Sequence, residues 1–175
     1  MMRALALIPL LLASAACSGG GEAPKQEEKA TADRLEPGQW ELATEVTQFK
    51  KTDQGAPKID APDGTKATRT VCIAEADAAK PQPGMFGGDK DECTYGDFYM
   101  AEGRLSATTN CKRPGLSGNV ATRADLNYTG STIEGTLNTT TFLVTDGDVV
   151  FLRKLTGKRV GQCAPDAGGG AEKKG

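Results

Sequence analysis

Between Leu35 and Cys163 apolar and polar residues alternate with a period of two, interrupted at short intervals by Gly, Asp, Pro and Ser. Successive side chains of a strand point to opposite faces, so this pattern marks strands on a half-buried sheet. Trp40, Leu42, Thr44 and Val46 share one face of a first strand, with Glu41 and Glu45 on the other. Further strands are expected at Ala67–Ile73, Cys93–Met100, Arg104–Cys111, Asn119–Tyr128, Thr132–Val144 and Val149–Lys158, with tight connections at Ala101–Gly103, Thr129–Ser131 and Asp146–Asp148. The polar stretch Lys50–Lys66 reads as a loose loop joining the first two strands, and QPGMFGGDKDE reads as a second loop. AEADAAK, residues 74–80, carries good helix formers and stops before Pro81, which predicts one short helix. Short connections favour antiparallel neighbours. The fold class expected is mainly β: a single antiparallel meander of about seven strands forming a curved sheet, an open barrel or a sandwich.

The ends break the pattern. One positive charge at Arg3 precedes an apolar run from Ala4 to Ala13. Ten such residues cannot cross a hydrocarbon core about 30 Å thick at about 1.5 Å per residue, so the run reads as the apolar part of an export signal. Ser14, Ala15 and Ala16 then lead into Cys17. This resembles the bacterial lipobox, whose Cys takes a diacylglycerol on its thiol and becomes the new N-terminus; Ser14 stands where Leu is more usual. The alternative is plain secretory cleavage after Ala15 or Ala16. In resembling lipoproteins an Asp after the Cys marks retention in the inner membrane, and Ser18 here points to the outer membrane, facing the periplasm. The organisation expected is therefore residues 1–16 as signal, 17–34 as lipidated Cys17 and a disordered tether, 35–163 as the β domain, and 164–175 as a disordered tail.

Cysteine number bears on the same question. The chain has five Cys, and an odd thiol in an oxidising compartment is a liability unless something consumes it, as lipidation of Cys17 would. Cys93 and Cys111 lie symmetrically about the Ala101–Gly103 turn, so hairpin register sets them opposite one another. By elimination Cys72 pairs with Cys163, with Cys72–Cys93 as the rival. Nine aromatic residues make a modest core, which gives such staples importance. A zinc reading needs Cys pairs about two to four residues apart, and here the nearest two are eighteen apart. No metal and no cofactor is expected.

Four blocks, VCIAEADAAKP, CTYGDFYMAEGRLSATTNC, GSTIEGT and GKRVGQC, follow the opening EPGQWELATEV in order. Together they resemble the bacterial family of domains of unknown function numbered 3617, over Leu35–Cys163. The resemblance implies an exported, often lipidated, small β-rich protein, and implies no catalytic residues.

The remaining composition narrows function by exclusion. There is no His, which removes the commonest general base and the Ser–His and Cys–His nucleophile pairs. Without Arg3 the net charge is about −3, the wrong sign for a nucleic-acid binder. Gly115-Leu116-Ser117-Gly118 has the look of a nucleophile elbow with its second Gly one place early, and reads as a turn. Asp89, Asp91 and Glu92, and Asp146 with Asp148, read as solvated acidic loops, without the spacing of a calcium-binding loop. Arg153, Lys154, Lys158 and Arg159 crowd the last strand; they could meet anionic lipid or cell-wall groups, or form a solvated face that blunts an edge strand. If the sheet closes round a cavity, Trp40, Leu42, Leu105, Leu126, Leu137 and Leu143 would line it and could hold an acyl chain; more often such residues fill the interior. The expectation is a non-catalytic binding or structural module in the periplasm, reached by the membrane through Cys17, with an envelope protein, glycan or lipid as partner and no nucleic acid. A carrier of an apolar ligand and a carboxylate-based hydrolase are the alternatives.

Overall fold

In the computed structural model, which describes residues 32–164, seven strands form one open, wholly antiparallel sheet. They are β1 (Gly38–Lys51), β2 (Lys66–Ile73), β3 (Glu92–Ala101), β4 (Arg104–Lys112), β5 (Gly118–Tyr128), β6 (Thr132–Leu143) and β7 (Val149–Gly161). The spatial order is β2-β1-β7-β6-β5-β4-β3. Strands β3 to β7 are the expected meander; β1 then pairs with β7, and β2 folds back outside it. The last strand is therefore central, and the edges are β2 and β3. The helix expected at 74–80 takes the form of a 3-10 turn, Glu75–Asp77, followed by a second at Pro83–Phe86. Seven residues before a proline are too few to propagate an α-helix in isolation, and the Ala78 carbonyl is taken instead by the Leu35 N–H at 3.0 Å.

The sheet is curled. Flat, its seven strands would hold the edges apart by six steps of about 4.8 Å. Yet a single cavity of about 230 Å³ is lined by Arg69, Val71 and Ile73 of β2 and by Asp91, which immediately precedes β3. The connection from β2 to β3 crosses the mouth of the resulting cup and seats Ala78, Met85 and Phe86 against its inner face, while Ile59 of the β1–β2 loop covers the other end. That loop is thus packed over the core rather than loose.

Register in the β3–β4 hairpin has a feature worth following. The turn is two residues long, Glu102 (φ 50°) and Gly103 (φ 74°), which suits the type I′ geometry of tight hairpins. Such a turn alone would offset Cys93 from Cys111 by one. A bulge between Tyr95 and Asp97, at Gly96, absorbs the offset, so Cys93 faces Cys111 and Glu92 faces Lys112. The two sulfurs are bridged across a Cα–Cα separation of 4.0 Å, close to that of a non-hydrogen-bonded strand pair. The second bridge joins Cys72 to Cys163, tying edge strand β2 to the exit of β7 over the intervening β1.

Inner-face residues form two apolar clusters. One contains Trp40, Leu42, Phe86, Leu105, Leu137 and Leu155. The smaller contains Val46, Ile59, Cys111, Val120, Val149 and Phe151. Between them runs a polar layer. Thr109, Thr122 and Thr139 stand side by side on β4, β5 and β6, each fully buried. Burial of hydroxyls is tolerated where they are paired, and here Thr109 donates to the Thr122 carbonyl while Thr122 and Thr139 share a bond of 2.9 Å. Gly135 lets β6 approach β5 closely: its φ is 152° and a Cβ there would lie 2.3 Å from the Asp125 carbonyl.

Candidate functional site

The polar layer ends in charge. On β7 the inward parity runs Val149, Phe151, Arg153, Leu155, so a guanidinium replaces the apolar side chain expected at the third place. Arg153 Nη2 donates to Thr139 Oγ1 at 3.1 Å and to the Phe86 carbonyl at 3.4 Å. Its guanidinium lies 5.3 Å from the Phe151 ring centroid, a cation–π distance. Arg69, inward on β2 opposite Leu42, donates to the carbonyls of Gly84 and Met85 and lies 3.4 Å from Asp89. The two arginines thus hold the carbonyl side of the Pro83–Phe86 turn from the strands on either side of β1.

A third arginine is neutralised. Arg113, just past β4, makes a two-pronged bond to Asp91: Nε to Oδ1 at 2.8 Å and Nη2 to Oδ2 at 2.7 Å. The Gly88 N–H adds a bond to Oδ2 at 2.7 Å. Burial alone would raise the Asp91 carboxyl; the Arg113 hydrogen bonds, the Gly88 amide and the nearby positive charges outweigh it and hold the group below its ordinary 3.8. For Arg153 burial dominates in the other direction. Desolvation, with repulsion from Arg113 and Arg69, pushes its guanidinium down to about 10, so it is still charged at neutral pH. Its Nε is buried without a hydrogen-bond partner among the described residues. Asp91 serves Arg113 and Asp89 serves Arg69, which leaves Arg153 as a buried cation with no carboxylate of its own.

Beside it lies a cavity of about 190 Å³, between β2, β1, β7 and the Met85–Asp89 segment. Its walls combine Leu42, Met85, Leu137 and Leu155 with Thr44, Arg69, Asp89 and Arg153, Asp89 being drawn toward Arg69. The larger depression, about 370 Å³, is on the outer face over Tyr99, Ser106 and Asp125, where Ser106 already bonds Asp125 at 3.0 Å.

This cup and its two bridges coincide with a known family. The model of a protein family of unknown function, DUF3617, matches residues 35–163, from the buried Leu35 to the second bridge's last Cys. The chain belongs to DUF3617. No curated protein and no solved structure matches it. In the DUF3617 domain the geometry is therefore the main source of chemical information.

Several sequence-level candidates change character in the DUF3617 domain. The basic crowd on the last strand does not form a solvated edge, because β7 is central. Arg153 points inward; Lys158 pairs with Glu41 at 3.1 Å; Arg159 Nε donates to the Pro37 carbonyl at 2.8 Å. Two of the acidic residues are not solvated. Asp91 is 2% exposed in its salt bridge, and Asp146 is 6% exposed and paired with Lys58 at 2.9 Å. Asp148 caps the β6–β7 turn, accepting from Thr141 and Leu143. Ser117 is exposed on the β4–β5 connection. Donor atoms of Asp91, Cys93 and Cys111 lie within 4.8 Å of one another, but the sulfurs are bridged to each other and the carboxylate is committed to Arg113. Trp40, Leu42, Leu105, Leu126 and Leu137 are packed core, and Leu143 stands apart from that cluster. Cys17, the signal, residues 18–31 of the tether and nearly all of the tail lie outside the described residues. Reading Arg153 by charge rather than by strand parity hides the arginine cluster, and no role for Arg69 is singled out from the sequence.

Proposed function

We propose that this protein is an envelope lipoprotein, anchored through Cys17 to the outer membrane and facing the periplasm, whose β domain is a non-catalytic binding module. One observation carries the reading: four of the five cysteines are paired inside the domain, as Cys72–Cys163 and Cys93–Cys111, and Cys17 is the odd sulfur. Internal bridges suit an oxidising compartment, and acylation is the fate that leaves no free thiol there. Binding is favoured over a purely mechanical role by the cavity beside Arg153. A non-catalytic role is favoured because the Asp91 carboxylate is committed to Arg113 and the Gly88 N–H and the chain has no His to act as a general base. Metabolic labelling with an alkyne fatty acid tests the anchor. Wild-type protein should take the label and sediment with membranes, and Cys17→Ser should do neither. An unmodified thiol at Cys17 in the native protein would defeat the proposal.

A further inference from the structure

We propose that the cavity between Arg69 and Arg153 is a binding site for a small organic carboxylate with a short apolar tail, the acid group meeting Arg153 and the tail lying against Ala67 and Met85. This rests on reading the domain as a binding module and names its ligand class.

Charge is the first argument. Three arginines, Arg69, Arg113 and Arg153, face two acids, Asp89 and Asp91, around the Met85–Asp89 segment. The excess positive charge falls on Arg153, which lines the cavity. Buried charges in folded proteins are normally paired, and a planar guanidinium matches a carboxylate in particular. Shape is the second. A cavity of about 190 Å³ beside Arg153 has room for a short acid. The third is the lining: Ala67 and Met85 give it accessible apolar surface over a floor of Leu42, Leu137 and Leu155, which a bare inorganic anion would not use. Access is from edge strand β2, where the exposed Ala67 stands at the rim.

The test is calorimetric titration of the full-length protein, purified from membranes in a nonionic detergent, with hexanoate, with hexanamide as its neutral counterpart, and with inorganic phosphate. Hexanoate should bind once per chain, about tenfold or more tighter than either of the others, since the charged contact is the one they lose. Arg153→Met should abolish that preference while circular dichroism and Trp40 fluorescence show the fold retained, because an apolar chain of similar length takes the place of the guanidinium. Ala67→Phe, at an exposed strand position that accepts aromatic residues, should block the cavity and weaken hexanoate at least about tenfold with folding unchanged. Equal binding of acid and amide would overturn carboxylate recognition. So would equal binding of phosphate, or a preference that survives Arg153→Met. Absence of hexanoate binding while Cys17 carries its acyl label would sink this site and leave the anchored-module reading standing.

Discussion

Asp91→Asn is the sharpest perturbation of the interior, because it changes charge and one atom's bonding while keeping shape. Asp91 Oδ2 accepts from both Gly88 N–H and Arg113 Nη2, and Oδ1 accepts from Arg113 Nε. An Asn can put its oxygen at one of these places only, so its amide faces an N–H donor at the other. One charge-assisted bond is lost, at about 1.5–3 kcal/mol, and a donor is left without an acceptor. Breaking a buried pair outright costs about 3–5 kcal/mol, but Arg113 is 29% exposed and reaches water, which lowers the figure. The expected loss is about 3 kcal/mol at pH 7, or about 10 °C in thermal midpoint for a domain of this size. Trp40 is the single Trp and is fully buried, so its fluorescence reports urea unfolding directly. Acidity gives an independent check. The folded carboxyl lies below its ordinary 3.8, so its contribution is complete above that value and disappears as pH falls through the folded one. The gap between wild type and Asp91→Asn should therefore close below pH 4. A deficit under about 1 kcal/mol at pH 7, or a gap constant down to pH 2, would refute the assignment of Asp91 as the ionised partner of Arg113.

Other outcomes follow from the same structure. Replacing Cys72 and Cys163 by Ser frees a span of 91 residues and should cost about 4–5 kcal/mol, against about 3 kcal/mol for Cys93 and Cys111; denaturant midpoints of the oxidised variants decide the ranking. Gly135→Ala drives a Cβ into the Asp125 carbonyl at a φ of 152°, and should cost about 2–3 kcal/mol by the same measurement. Tyr95→Phe removes the hydroxyl bond to the Pro81 carbonyl and should cost about 1–2 kcal/mol at neutral pH. Burial, then repulsion from Asp77, raises the Tyr95 phenol above its ordinary 10, so wild type should lose this advantage as pH climbs past about 10 while Tyr95→Phe does not; parallel alkaline unfolding curves would contradict it.

Strand existence was legible because the sheet buries one face only, and alternation survives wherever one face is wet. Non-local pairing was not. Short connections imply neighbours, but nothing between Gly38 and Lys51 marks its second partner as β7, and that pairing converts the basic last strand from edge to centre. Arg153 shows the cost. Grouped with Lys154, Lys158 and Arg159 it reads as a basic surface; counted by twos from Val149 and Phe151 it falls on the inner face, half-buried. Asp91 and Arg113 were readable by an argument already made for the cysteines, since they sit two places outside Cys93 and Cys111 and continue the same register. What hid the pair was the assumption that a Gly–Asp–Lys stretch is solvated. The fold of the β2–β3 connection over the cup depends on Met85 and Phe86 finding the inner face, a packing choice that local pattern does not encode.

The placement of the bridges joins these observations. Arg69 is three residues from Cys72, Asp91 two from Cys93, and Arg113 two from Cys111. Arg69 on edge strand β2, Asp91 just before edge strand β3 and Arg113 just past β4 are thus each held close to a covalent link, while Arg153, on central β7, is held by ladders on both sides. Edge strands fray first, having one paired neighbour and fewer buried contacts. A charged layer that takes Arg69 from one edge and Asp91 from beside the other needs both edges held in place, and its uncompensated cation works against the compact state. Covalent closure meets both demands at once, by lowering the entropy of the unfolded chain and by pinning the edge residues that face Arg153. The staples therefore serve the cup's charged layer as directly as they serve its modest core.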